Sequence, residues 1–177
     1  GIQNMNKKDT VVFDLDGTLL DTLEDLKNSV NYAMTQCGYP EHTLDEVRRY
    51  VGNGILLLMQ RAIPEGKNDP NFDKAFTLFK EHYGKHCNDT TKPYAGIMEL
   101  LHTLKENNIK IAIVSNKADF AVKELNAIYF KDLILVAIGE KESEGIRKKP
   151  APDTVIEALK QLGSTAENSV YIGDSDV

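Results

Sequence analysis

The stretch "VVFDLDGTLLDT", residues 11–22, places two acidic residues in an apolar run at a spacing of two. The apolar residues predict a buried strand of a parallel sheet, where apolar runs are nearly continuous. Because side chains alternate along a strand, Asp14 and Asp16 would share one face, and burying unpaired charge there is costly. Gly17 follows at once, so we expect the strand to end here and to present both carboxylates at its carboxyl end, where open parallel sheets bind ligands. A solvated turn would explain Asp16 and Gly17 but not Asp14.

The composition indicates a globular protein with one core, or with one core and a small satellite. Of the 177 residues, 41% are hydrophobic and 27% are charged, which are ordinary values. The net charge of −6 argues against nucleic acid or an anionic membrane as a partner, and no apolar run approaches the roughly 20 residues of a membrane helix. Two cysteines and a polar N-terminal segment favour a cytoplasmic protein. We expect a monomer or a weak homodimer.

Four short apolar runs, at residues 11–15, 109–114, 133–138 and 169–172, predict strands. Apolar residues at helical spacing precede the second run and separate the last three. Because strands alternate with helices, the sequence predicts an α/β protein with a doubly wound, Rossmann-like parallel sheet.

The connection after the first strand is far longer than a normal crossover, since about eighty residues separate the strand from the next sheet-associated helix. Four apolar stripes at helical spacing fall within it, and they begin near Leu23, Leu44, Ile55 and Phe72. Thr22 followed by Asp25 predicts a capped start for the first of these helices. We therefore expect a helical domain at residues 21–92, inserted into a Rossmann-like core of residues 1–20 and 93–177.

Polar residues follow the other predicted strands or precede a helix at the same edge of the sheet. Ser115 and Asn116 end the second strand, Lys149 precedes Pro150 and a new helix, and Asp174 follows the fourth strand. Since the carboxyl ends of parallel strands share one edge, these groups would converge on one crevice with Asp14 and Asp16. Each alone has an ordinary explanation, as a turn, a surface charge or a loop acid. Their order and placement together favour a site.

These residues resemble the haloacid dehalogenase superfamily of phosphohydrolases over nearly the whole chain. "DLDGT" (14–18) is similar to the first motif of that family, Ser115 to the second, Lys149 to the third and "GDS" (173–175) to the fourth. The helical insertion at residues 21–92 resembles the small mobile cap domain of the family. Four motifs in the right order on the right elements are a specific signal.

The resemblance implies a phosphatase that works through an aspartyl-phosphate on Asp14. Asp16 would protonate the leaving oxygen and then deprotonate water, and its presence favours phosphate esters over the halide and phosphonate substrates of other members. The resemblance also implies a Mg²⁺ site with Asp14 and Asp174 as side-chain ligands and Asp16 as a main-chain ligand. The phosphoryl oxygens would be held by Ser115, Asn116 and Lys149.

The segment "RRYVGNGILLLMQRAI" (48–63) resembles the cap segment of phosphoglycolate phosphatases. Gly52, Asn53 and Gly54 would form a substrate-binding loop, because glycines break the helix and let the backbone approach a ligand. A plain helix–helix turn explains the same glycines nearly as well. We expect 2-phosphoglycolate as the substrate. Other small-metabolite phosphatases, pyrophosphatases and sugar-phosphate mutases share the four motifs, and a catalytically silent relative that binds a phosphorylated ligand is a further alternative.

His82 and His86 lie four residues apart on a predicted helix with Cys87 beside them, a spacing that could bind zinc. No second pair of ligands accompanies them, so a solvated helix end is the favoured interpretation.

The family pattern places a second acid four residues after the aspartate of the fourth motif, which here is Asp174. The sequence ends at Val177, one residue before that position. We therefore expect the phosphatase core to continue beyond Val177.

Overall fold

The structure is a computed structural model that describes residues 8–173. Its main sheet has four parallel strands. The strands of the described residues are β1 (Thr10–Phe13), β2 (Leu20–Asp21), β3 (Lys92–Pro93), β4 (Lys110–Ala118), β5 (Val136–Glu140) and β6 (Ser169–Ile172). The sheet has the order β5-β4-β1-β6, and β2 pairs with β3 separately. The strand that carries the first motif therefore lies inside the sheet, between β4 and β6.

Seven α-helices accompany the strands in the described residues. They are α1 (Leu23–Gln36), α2 (Leu44–Tyr50), α3 (Ile55–Ala62), α4 (Phe72–His86), α5 (Ile97–Glu106), α6 (Asp119–Tyr129) and α7 (Asp153–Leu162). The longest of them, α4, has 15 residues, fewer than the roughly 20 that span a bilayer. No helix within residues 8–173 is long and apolar enough to cross a membrane.

Strands β1, β4 and β5 are buried on both faces of the sheet, which explains their nearly continuous apolar sequences, whereas the edge strand β6 is largely exposed. One face carries Val12, Val114 and Ile138, which pack with Ala158 and Leu159 of α7. The neighbouring residues in β1 and β4 point to the opposite face and are also buried, since side chains alternate along a strand. α5 and α6 contact the sheet as well. The predicted α/β fold with a doubly wound parallel sheet is confirmed.

The described residues divide into two compact units, one up to Leu20 and from Pro93 onwards, the other from Asp21 to Lys92. The second unit holds α1 to α4 and no strand of the main sheet. Within it α1 packs on α4, and Val30, Met34 and Phe79 are fully buried between helices of this unit. The apolar stripes of the sequence therefore form a helical core of their own.

The start of α1 differs from the prediction. Thr22 is the N-cap residue, but its side chain makes no capping hydrogen bond. The Asp25 carboxylate is 1% exposed and instead accepts hydrogen bonds from the backbone N–H and hydroxyl groups of Thr90 and Thr91, at 2.8–3.0 Å. The Asp25 side chain therefore binds residues about 65 positions away in the sequence and does not form the predicted cap of α1.

Candidate active site

Asp14 and Lys149 form a buried ion pair at the carboxyl end of β1. Asp14 Oδ1 lies 3.2 Å from Lys149 Nζ and accepts a hydrogen bond from the Leu15 backbone N–H at 2.8 Å. The Lys149 ammonium also donates to the Val114 carbonyl at 3.1 Å and to the Tyr171 hydroxyl at 2.7 Å. The ammonium group therefore links β4 and β6 to the residue that follows β1.

Burial raises the pKa of the Asp14 carboxyl above its ordinary value. The positive charge of Lys149 and the Leu15 N–H oppose this shift, and the neighbouring charge of Asp16 adds to it. The carboxylate is thus poorly solvated and depends on Lys149 for its counter-charge.

Asp16 lies two residues further on, in a tight loop, and faces a second lysine. Its Oδ1 is 3.3 Å from Lys117 Nζ, and its side chain is 27% exposed whereas that of Lys117 is 3% exposed. The loop is closed by the Leu15 carbonyl, which accepts from the backbone N–H groups of residues 18–20. Gly17 has a φ of 79°, a conformation that favours glycine.

A bulge in β4 delivers three consecutive polar residues to this edge of the sheet. Val114 pairs with Ile138 and Ala118 pairs with Glu140, so residues 115–117 lie opposite the single residue Gly139. A Cβ on Gly139 would lie 2.6 Å from the Lys117 carbonyl oxygen, so the bulge requires glycine there. Bulges re-aim side chains next to active sites, and Ser115, Asn116 and Lys117 are all buried.

Asn116 holds the loop that carries Lys149. Its side-chain amide donates to the Lys149 carbonyl at 3.1 Å, and its side-chain oxygen accepts from the Lys149 backbone N–H at 2.9 Å. The Ser115 hydroxyl oxygen accepts from the Lys117 backbone N–H at 3.1 Å. The Asn116 side chain thus ties the bulge of β4 to the main chain of Lys149.

The predicted site residues Asp14, Asp16, Ser115, Asn116 and Lys149 come together at one edge of the sheet, and Asp174 lies outside the described residues. The sequence reasoning missed Lys117 and Tyr171. Lys117 stands two positions after Ser115, which would put both on the same face of a regular strand, and that spacing was the signal for it. Tyr171 carried no comparable signal, because it lies in an apolar strand.

The predicted substrate loop lies in the helical unit, between the end of α2 at Tyr50 and the start of α3 at Ile55. Gly52 and Gly54 have φ values of 109° and 94°, a backbone conformation that glycine adopts readily and other residues rarely adopt. Arg61 donates to the Asn53 side-chain oxygen at 3.0 Å and to the Tyr50 carbonyl at 2.8 Å. This hydrogen bonding braces the loop against α3.

The zinc interpretation of His82 and His86 gains no support. The Ser29 hydroxyl lies 2.7 Å from His82 Nδ1, and the Asp89 carboxylate lies 2.7 Å from His86 Nδ1. The two imidazole rings stack with centroids 4.3 Å apart. Within residues 8–173 no group of three or more His, Cys, Asp or Glu side chains is arranged to hold a metal ion.

The oxygen atoms at this edge of the sheet are ligands of the type that a hard cation such as Mg²⁺ binds. Asp14 offers a carboxylate oxygen and Asp16 a main-chain carbonyl oxygen, both of the kind that Mg²⁺ prefers, and no histidine or thiol is among the site residues described here. The Thr18 hydroxyl in the same loop is a buried oxygen without a hydrogen-bond partner among the described residues. The third acid predicted as a ligand, Asp174, lies outside the described residues.

The chain belongs to the haloacid dehalogenase-like hydrolases, because residues 11–177 match that family. A phosphoglycolate phosphatase of Aquifex aeolicus is 32% identical over 170 residues, which are 94% of this chain and 76% of that protein. A phosphoglycolate phosphatase of Thiobacillus denitrificans is 32% identical over 171 residues, 93% of this chain and 74% of that protein.

Solved structures agree with these sequence matches. A Lactobacillus delbrueckii subsp. bulgaricus protein, provisionally named a phosphoglycolate phosphatase, superposes with a TM-score of 0.88 at 35% identity, over 96% of this chain and 79% of that chain. A predicted phosphoglycolate phosphatase from Haemophilus somnus gives a TM-score of 0.86 at 26% identity, over 96% of this chain and 78% of that chain. The predicted family and fold are confirmed, and the chain spans about three quarters of these relatives.

Proposed function

We propose that this protein is a Mg²⁺-dependent phosphatase that hydrolyses a small phosphorylated metabolite through an aspartyl-phosphate intermediate. One observation carries the proposal: at the end of β1, two aspartates two residues apart each face a buried lysine, Asp14 with Lys149 and Asp16 with Lys117. A phosphoryl group needs a nucleophile, a proton donor and cations around its oxygens, and this edge of the sheet supplies the chemical groups for all three roles.

Asp14 is the proposed nucleophile. Its oxygen attacks phosphorus, a new P–O bond forms, and the ester P–O bond breaks with its electron pair staying on the leaving oxygen. The protonated Asp16 carboxyl donates its proton to that oxygen, so that a neutral alcohol leaves. The two-residue spacing separates the roles, since Asp14 is buried beside Lys149 whereas Asp16 is partly exposed.

Water completes the cycle. It attacks the phosphorus of the aspartyl-phosphate and gives its proton to the Asp16 carboxylate, while the bond between phosphorus and the Asp14 oxygen breaks. Inorganic phosphate leaves, the Asp14 carboxylate is restored and Asp16 is again protonated for the next turnover. Atoms and charges therefore balance over the two steps without any further reactant.

Lys149 and Ser115 would hold the phosphoryl oxygens, as the family resemblance implies. We expect Asn116 to contribute by fixing Lys149, since its side chain is bonded to the Lys149 main chain. Asp14 and Asp174 would hold Mg²⁺ through their side chains and Asp16 through its carbonyl oxygen. The ion would reduce the repulsion between the nucleophile and the phosphoryl oxygens.

We further propose that residues 21–92 act as a cap domain that selects the substrate, with 2-phosphoglycolate as the preferred one. Two lines support this choice: the curated relatives are named phosphoglycolate phosphatases, and the loop of Gly52, Asn53 and Gly54 resembles their cap segment. A short loop braced by Arg61 suits a small leaving group better than a bulky one.

A screen of phosphate release over small phosphorylated metabolites, with Mg²⁺ and with a chelator, tests the proposal. We expect 2-phosphoglycolate to be the best substrate, with activity lost on chelation and in Asp14→Asn. Preference for pyrophosphate or a sugar phosphate would refute the substrate assignment alone. Binding without phosphate release would refute the phosphatase and favour a silent relative. Full activity in Asp14→Asn would refute Asp14 as the nucleophile.

A further inference from the structure

We propose that Lys117 is a positioning residue for Asp16: its ammonium holds the Asp16 carboxylate in the orientation from which it exchanges protons with the leaving oxygen and then with water. This inference rests on the proposed function. Lys117 Nζ lies 3.3 Å from Asp16 Oδ1. It acts through Asp16 and has no proposed contact with the substrate, which sets it apart from Lys149.

The burial of Lys117 distinguishes this ion pair from surface pairs. Four other lysines in ion pairs of the described residues, Lys27, Lys123, Lys141 and Lys148, have side chains that are 24–53% exposed. The Lys117 side chain is 3% exposed, and only that of Lys149, at 6%, is comparable. Removing an ammonium group from water is costly unless it is paired. A buried lysine at this edge therefore indicates a specific interaction and not a solubilising charge.

The fold fixes the position of Lys117 through the bulge in β4. The Asp119 carboxylate accepts from the Gly139 backbone N–H at 2.9 Å and from Lys123 Nζ at 2.7 Å, which ties the end of the bulge to β5. The missing side chain of Gly139 lets the Lys117 main chain approach β5 closely. Lys117 therefore extends from a rigid segment, whereas Asp16 lies in a loop after β1.

A fixed ammonium on a rigid strand restricts the rotation of the loop carboxylate. A carboxylate that turns away from the reacting oxygen by about 1 Å can lose a factor of about 10² in rate. Groups that hold a reactive side chain in place matter for this reason, even where they touch no substrate.

A double-mutant cycle tests the inference. Phosphate release is measured for the wild type, Lys117→Met, Asp16→Asn and the double variant, with Lys160→Met as the control for the loss of an exposed lysine on α7. We expect Lys117→Met to lower kcat by about 10- to 100-fold with little change in KM. Lys117→Arg should recover most of the rate. In the Asp16→Asn background, Lys117→Met should have no further effect, because its target is absent.

Two outcomes of the cycle would overturn the inference. If the fold-decreases in kcat of the two single variants multiply in the double variant, Lys117 acts independently of Asp16. If Lys117→Met raises KM and leaves kcat unchanged, Lys117 is a substrate contact. Lys117→Gln replaces Lys117→Met if the latter does not fold, as judged by thermal unfolding.

A crystal structure of Lys117→Met provides a readout that does not depend on catalysis. We expect the Asp16 carboxylate to leave its present position, and an unmoved, well-ordered Asp16 would contradict the inference. If the wild type hydrolyses no phosphate ester, the proposed function fails, and this structure still decides whether Lys117 orients Asp16.

Discussion

Lys149 Nζ lies 3.2 Å from Asp14 Oδ1, and both side chains are buried. The pair joins the loop before α7 to the end of β1, across more than a hundred residues of sequence. Burial raises the pKa of the Asp14 carboxyl, and Lys149 opposes that rise, so the lysine favours the charged form of a poorly solvated carboxylate. A nucleophile and its counter-charge are thus provided by two separate parts of the fold.

Lys149→Met should abolish most of the phosphatase activity. The variant keeps the length of the side chain but removes the cation beside the nucleophile and the phosphoryl oxygens, and we expect kcat to fall by about 10² to 10³. Lys148→Met is the matched control, since it removes the same charge one residue earlier from a partly exposed side chain. Phosphate release from 2-phosphoglycolate measures both, and equal losses in the two variants would refute a specific role for Lys149.

Asp25→Asn should destabilise the protein strongly. The Asp25 carboxylate accepts hydrogen bonds from four donors, two on Thr90 and two on Thr91. In the variant, the side-chain NH₂ group would face some of these donors and could not accept their hydrogen bonds. Because hydrogen bonds to a buried charge are strong, we expect the free energy of unfolding in urea to fall by about 2–3 kcal/mol. Asp73→Asn, an exposed acid in the first turn of α4, should change it little. Similar effects of both variants would contradict this account.

His82 should make the protein less stable as the pH falls. Burial lowers the pKa of the His82 imidazole below its ordinary value of 6.5; the charge of His86 adds to this shift and Asp89 opposes it. Below about pH 6.5 the unfolded chain therefore binds a proton that the folded protein resists, and the free energy of unfolding decreases.

Urea unfolding at neutral and mildly acidic pH checks this prediction. The decrease on acidification should be smaller in His82→Gln than in the wild type, and unchanged in His102→Gln, which removes an exposed histidine from α5. An unaltered decrease in His82→Gln would show that other groups cause it.

Gly52→Val should impair recognition of the substrate. Gly52 has a φ of 109°, so a β-branched residue would shift the proposed substrate loop. Gly38→Val is the control, because Gly38 also has a positive φ of 77° and open space around it but follows α1. Both variants should lose of order 1 kcal/mol of stability through backbone strain. Only Gly52→Val should raise KM for 2-phosphoglycolate while leaving a small aryl phosphate nearly unaffected, and equal effects on both substrates would argue against a specificity role.

The local spacing of apolar residues predicted most of the helices and strands. The strand at residues 169–172 was predicted as it is found, and helices α5, α6 and α7 lie where the apolar spacing placed them. Asp14, Ser115 and Lys149 were predictable as neighbours, since the strand ends of a doubly wound sheet meet at one edge.

Predictions from the sequence were wrong where contacts between distant parts of the chain override the local sequence pattern. The second strand was expected to end at residue 114 but continues to Ala118, because its bulge depends on the close approach of Gly139. Asp25 was expected to cap α1 and binds Thr90 and Thr91 instead. Lys117 was overlooked because lysine is rarely buried, and its ion pair with Asp16 appears only in the folded structure.

The central claim is that Asp14 becomes phosphorylated and that Asp16 moves the protons. It is tested most directly by intact-protein mass spectrometry after rapid quenching of Asp16→Asn with an aryl phosphate, whose leaving group needs little protonation. We predict one added phosphoryl group on Asp16→Asn, none on Asp14→Asn, and a fall in steady turnover of roughly 10² to 10⁴ for Asp16→Asn. Labelling of Asp14→Asn, or full turnover in either variant, would contradict the two-aspartate mechanism.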